Sequence, residues 1–94
     1  MWKIALFLAF LALPSLATER SKARRAEFVR TVPCPETGVT RGPCPGWQVD
    51  HIVPLCAGGA DRPDNMQWLP AADHKEKTRH DVRYCRIPSR RQTP

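Results

Sequence analysis

The sequence predicts a small α+β domain stapled by disulfides, and three observations predict it. A stretch rich in β-branched residues at 48–53 is separated by turn-forming residues from a short apolar stretch at 66–69. A helix-compatible run follows at once, from Ala71 to about Tyr84. Four cysteines lie in a chain of 94 residues, a length that allows one domain with a modest core and favours covalent staples.

Taken in order, the first element is a leader. Met1-Trp2-Lys3 is a short positive segment, residues 4–13 form an apolar run too short to span a bilayer comfortably, and Ser15-Leu16-Ala17 puts small residues where a signal peptidase reads. The sequence therefore predicts a signal peptide over residues 1–17. The exported protein, periplasmic or secreted, begins at Thr18. Residues 18–46 are expected to form a helix over 19–30, with Ala23 and Ala26 on one side and loose packing through Phe28 and Val29, followed by a cysteine-containing loop with a turn at Pro35-Glu36-Thr37-Gly38.

Residues 47–86 carry the main unit. Val49, Ile52 and Val53 favour a short strand over 48–53, which Pro54 ends because it cannot donate to a ladder. Gly58-Gly59 and Arg62-Pro63-Asp64-Asn65 supply positive φ and local side-chain hydrogen bonds, as turns require. Residues 66–69 are expected to form a buried strand or a bend, with Pro70 at the first position of the next helix, where its missing N–H is not needed. In that helix His74, Thr78, Val82 and Cys85 recur at steps of four, four and three, which places them on one face, turned toward the hairpin. Residues 87–94 are polar and expected to be disordered.

The expected core is Phe28, Trp47, Val49, Ile52, Leu55, Trp68, Leu69 and Val82, with Met66 filling gaps. Four cysteines allow three pairings. Export favours disulfides, and the pairing expected is Cys34 with Cys44, closing the 35–38 turn region, and Cys56 with Cys85, tying the exit of the first strand to the end of the helix. A zinc site made of all four cysteines is the competing reading, although the chain has no C-x-x-C pair.

Lys and Arg number 15 against 9 Asp and Glu, a formal charge of +6. Loss of residues 1–17 would remove only Lys3 from that balance. A basic surface suits a polyanion such as nucleic acid, because each cation near a phosphate releases condensed counterions. No helix-turn-helix or zinc finger accompanies it, so little base reading is expected. No strongly amphipathic helix marks residues 18–94 as membrane-active.

Within residues 47–78, Asp50 stands beside His51, with Asn65 and then His74 downstream. These are the residue types needed to bind one hard metal ion and deprotonate one water, which points to hydrolysis of a phosphodiester. Neighbours in a regular strand face opposite ways. For Asp50 and His51 to serve one point, the strand must be distorted or the site must lie at its edge.

The segment Asp-His-Ile-Val-Pro-Leu, then Gly58-Gly59, then Asn65-Met66-Gln67-Trp68, then His74-Lys75-Glu76-Lys77-Thr78 resembles the HNH endonuclease family. Members carry D-H-I-x-P-L, a Gly-Gly turn, N-x-Q and H-x-x-K-T in this order. The resemblance covers about a third of the chain. It implies a ββα-metal unit: a strand with Asp50 and His51, a Gly-rich turn, a returning strand near residues 65–68 and a helix with His74. It also implies His51 as general base, Asp50 and His74 as ligands of one divalent metal, and Asn65 either orienting the His51 loop or approaching the metal. Asp73 competes with His74 for the helix ligand. Some family members have a third ligand one turn after the last histidine, where this chain has Thr78.

Mg²⁺ is the metal expected, with Mn²⁺, Ni²⁺ or Zn²⁺ as alternatives. Lys77, Arg79 and Arg83 are candidate phosphate contacts. The function expected is a monomeric, exported, metal-dependent endonuclease acting on DNA in preference to RNA, with little sequence specificity and no membrane association. The competing reading is a non-catalytic basic protein that binds nucleic acid or the cell envelope on a degenerate scaffold of this kind.

Overall fold

The computed structural model describes residues 15–87. Residues 1–14 of the expected leader and 88–94 of the expected tail lie outside the described residues. The element order is helix α1 (Leu16–Thr31), strand β1 (Trp47–His51), a 3₁₀ turn (Leu55–Ala57), a second 3₁₀ turn (Pro63–Asn65), strand β2 (Met66–Pro70) and helix α2 (Ala71–Cys85). This is the α+β class predicted, with the expected order of strand, turn, strand and helix.

β1 and β2 form one antiparallel hairpin, in register from Trp47↔Pro70 to His51↔Met66. Paired residues share a face, so the pairs Val49↔Trp68 and Asp50↔Gln67 point to opposite sides of the sheet. The first side meets α1: Phe28, Val29 and Met66 are the buried apolar cluster, with Val49 and Trp68 packed on it. The rings of Phe28 and Trp68 lie 5.8 Å apart at 49°, and the Trp68 indole N–H donates to the Val32 carbonyl at 2.7 Å. Burying a side chain such as Phe28 contributes about 1.5–3 kcal/mol. On the second side the polar residues Asp50 and Gln67 meet α2.

α1 starts earlier than the expected 19–30 because Ser15 caps it, its hydroxyl accepting from the Thr18 N–H at 3.2 Å. β1 ends earlier than the expected residue 53 for a definite reason. Beyond His51, the Asn65 side chain takes the place of a neighbouring strand: its Oδ1 accepts from the Val53 N–H and its Nδ2 donates to the Val53 carbonyl. Pro70 is not the first helical residue. It ends β2 with extended backbone, ψ 144°, opposite Trp47, and the helix begins at Ala71, whose N–H is taken by the Gly46 carbonyl at 2.9 Å.

The core is smaller than the sequence suggests. Ile52, Leu55 and Val82 are 48, 47 and 44 % exposed, because a two-stranded sheet with one helix on each side has no further layer to cover them. The inward face of α2 also differs from the expected one. His74, Lys77, Asp81, Tyr84 and Cys85 are its half-buried residues, whereas Thr78 and Val82 are exposed.

Two disulfides staple this frame, Cys34–Cys44 and Cys56–Cys85, with Cα separations of 5.6 and 5.9 Å. The pairing is the one favoured from the sequence, and no described cysteine is free. Among the described residues no helix is long and apolar enough to cross a membrane.

Candidate active site

Strand alternation divides Asp50 from His51 at the last two positions of β1. Asp50 is 5 % exposed and its side chain faces α2. Its Oδ2 accepts from Gln67 Nε2 at 3.0 Å and lies 3.3 Å from Lys77 Nζ. Its Oδ1 makes no hydrogen bond among the described residues and faces His74 Nε2 at 4.0 Å. A buried carboxylate is costly unless compensated, and here one oxygen carries the compensation while the other is left toward the imidazole.

His51 pairs elsewhere. Its Nε2 lies 2.9 Å from Asp61 Oδ1. A carboxylate only accepts, so Nε2 carries the proton in this contact and Nδ1 is left as the basic nitrogen. Consecutive Cα atoms are about 3.8 Å apart, which puts the Asp50–His74 and His51–Asp61 pairs at the same end of the hairpin. The strand is regular there, so Asp50 and His51 face opposite sides of it and each recruits its own partner.

Asn65 ends the second 3₁₀ turn and grips the loop after His51. Its Nδ2 donates to the carbonyls of Val53 and Ala60 at 2.9 and 2.8 Å. Its Oδ1 accepts from the Val53 N–H at 3.0 Å, and its own carbonyl accepts from the Ile52 N–H at 2.8 Å. The amide is thus engaged with the loop. Between the two gripped points the chain turns at Gly58, with φ +85°, and at Gly59, where a Cβ would come 1.9 Å from the Val53 carbonyl oxygen. Only glycine permits that approach.

Lys77, expected on the helix surface against phosphate, turns inward. Its ammonium donates to the His51 carbonyl at 2.8 Å and to Asp81 Oδ2 at 2.6 Å, beside Asp50. Burial pulls its pKa down, but the Asp81 and Asp50 carboxylates together outweigh that effect and hold it above the ordinary value of 10.5. Arg79 and Arg83 remain on the exposed side of α2. Asp73 is exposed in the first turn, so it is His74 that faces Asp50. His80 lies 4.0 Å from Glu76 on the outer surface. Thr78 donates to the His74 carbonyl at 2.8 Å.

Among the described residues no group of three or more His, Cys, Asp or Glu side chains is arranged to hold a metal ion. The Asp50–His74 pair still fits one divalent ion as two donors. It combines a carboxylate and an imidazole across a gap too long for a hydrogen bond, on the oxygen that nothing else engages.

Asp61 and Asp81 are the residues sequence reasoning missed. Asp61 follows the Gly-Gly turn at a distance no helical or strand period connects to His51. Asp81 lies four residues after Lys77, a helical ion-pair spacing that could have found it.

A family model described as HNH endonuclease matches residues 33–80, about half of the chain. No curated protein and no solved structure matches it.

Proposed function

Because this chain belongs to the HNH endonuclease family, we propose that it is an exported, metal-dependent endonuclease, monomeric, that hydrolyses DNA phosphodiester bonds with little sequence specificity. The observation that carries this reading is the His51–Asp61 contact of 2.9 Å at the same strand end as the Asp50–His74 pair. It offers a base for water and a two-donor seat for a cation, the two needs of phosphodiester hydrolysis.

In this reading His51 Nδ1 takes a proton from the attacking water. Asp61 fixes the tautomer and stabilises the imidazolium that forms, while Asn65 and Gly59 hold the loop that carries the pair. General-base catalysis of this kind is worth roughly 10²- to 10⁴-fold. Asp50 and His74 would hold the divalent ion, which when bound supplies positive charge to the oxygens that become anionic in the transition state. Mg²⁺ is the first choice for a carboxylate, and the imidazole also suits Mn²⁺, Ni²⁺ or Zn²⁺. Lys77 sets its ammonium 3.3 Å from the buried Asp50 carboxylate and joins α2 to the His51 backbone. Arg79 and Arg83, exposed on α2, would meet the phosphates of the substrate. The basic balance of the chain and the absence of a base-reading module support electrostatic binding. The two disulfides support an oxidising location outside the cytoplasm.

A plasmid-nicking assay on the oxidised protein tests the proposal. Nicking is expected with added divalent metal, to stop with chelator, and to fall at least about a hundredfold in His51→Ala. Nicking that survives both would sink it.

A further inference from the structure

On the side of the sheet away from the Asp50–His74 pair, α1 and the loop before Cys44 enclose a hollow of about 410 Å³. Arg25 and Arg30 of α1 line one wall and Thr40, Arg41 and Gly42 the other. A second hollow of about 300 Å³ shares Arg25, Val29 and Gly42 with the first and runs on to Trp47, Val49 and Trp68. The two form one trough, and no acidic side chain lines either part.

Three guanidinium groups so placed repel one another and gain from an anionic occupant. None of Arg25, Arg30 and Arg41 makes an ion pair among the described residues, although Arg24, on the same helix, is paired with Glu27 at 3.0 Å. Arg41 stands on a loop closed by the Cys34–Cys44 bridge, which limits how far that wall can move. Guanidinium is also the cation best matched to phosphate oxygens, through its fork of N–H donors. The trough ends beside Val49, two residues before His51 on β1. That is about 7 Å along the strand, the reach of one residue of a nucleic-acid backbone.

We propose that this trough is a binding site for the backbone of a nucleic acid, with Arg25, Arg30 and Arg41 holding phosphates along the path that leads to His51. It rests on the nuclease reading for its ligand, and it gives that ligand a track on the α1 side as well as on α2. Trp47, half-buried at the far end, offers an apolar wall against sugar and base.

The test is fluorescence anisotropy of a fluorescein-labelled DNA duplex with the full oxidised chain, in chelator so that no cleavage occurs, over a range of salt. Replacing Arg25, Arg30 and Arg41 together by Gln is expected to flatten the slope of log affinity against log salt by roughly 2 to 3 units. The triple Lys variant is expected to keep the slope, because charge and not shape sets this term. An unchanged slope in a triple Gln variant that retains its thermal transition overturns the proposal. If that variant fails to fold, R41Q alone, on the exposed loop, is expected to lower the slope by about 0.9, and no change there overturns it equally. Displacement of the duplex by inorganic phosphate at concentrations comparable to the protein would replace it with a small-anion site. Plasmid nicking by the parent tests the nuclease reading separately, so failure of that reading and failure of this proposal are told apart.

Discussion

The ammonium of Lys77 donates to the backbone carbonyl of His51 at 2.8 Å while pairing with Asp81 at 2.6 Å. One helix side chain thereby fixes the end of β1 through its backbone, and it sits beside Asp50 as well. Removing the cation leaves two carboxylates facing each other with a carbonyl between them. Lys77→Met is expected to lower stability by about 2–4 kcal/mol, in the range for breaking a partly buried ion pair by deleting one partner. Thermal or urea unfolding checks this, and a variant as stable as the parent would mean that Asp50 and Asp81 are better solvated than their burial suggests.

Asp61 acts on His51 without touching the phosphate, so its loss should weaken catalysis less than loss of the base itself. Asp61→Asn keeps the size of the side chain but can present its amide nitrogen to Nε2. Nicking is expected to fall about 10- to 100-fold, against at least about a hundredfold for His51→Ala. The kinetic constants are the second readout: kcat should fall while KM stays close to the parent's, because Asp61 acts on the base and not on substrate binding. A kcat equal to the parent's would leave Asp61 as loop structure only.

At Asn65 the chemistry of the amide matters more than its size. Asn65→Asp exchanges the donor that meets the Val53 and Ala60 carbonyls for an oxygen that repels them. It is expected to be more damaging than Asn65→Ala, which leaves those carbonyls to water. A loss of about 1–3 kcal/mol is expected for either, larger for Asp. Calorimetry of the two variants side by side decides the order.

Much of the fold was legible because it rests on local signals. The β-branched residues, the Gly58-Gly59 turn and the helix after Pro70 each report on their own few residues, and all three elements are present. Phe28 was rightly placed inside, and Val29, expected only to pack loosely, is buried beside it. What failed was the extent of the core, since Ile52, Leu55 and Val82 look buried by type, yet the frame has too few layers to cover them. The inward face of α2 was misread for a related cause. Apolar periodicity pointed to Thr78 and Val82, whereas the residues facing the sheet include Lys77 and Asp81, which meet a buried carboxylate and not an apolar surface. Motif order carried Asp50, His51, Asn65 and His74 to the same end of the molecule. It could not reveal Asp61, because that contact is made across a loop.

Cys56–Cys85 spans 29 residues and joins the loop after β1 to the end of α2. Cys56→Ser with Cys85→Ser is expected to cost about 2–5 kcal/mol. Unfolding with and without reductant measures it, and equal stability in both states would show that Asn65 and Lys77 hold the loop unaided.

Because Asp50 and His51 address different partners from opposite faces of one strand, the hairpin has a reading frame. A single residue inserted before Asp50, or a slip of β1 by one step along β2, would exchange the faces. The imidazole would then meet α2, and the carboxylate would meet Asp61, a like charge. Length in this segment is thus under a tighter constraint than composition, and single-residue indels between Trp47 and His51 should be less tolerated than substitutions at Gln48, whose side chain is exposed.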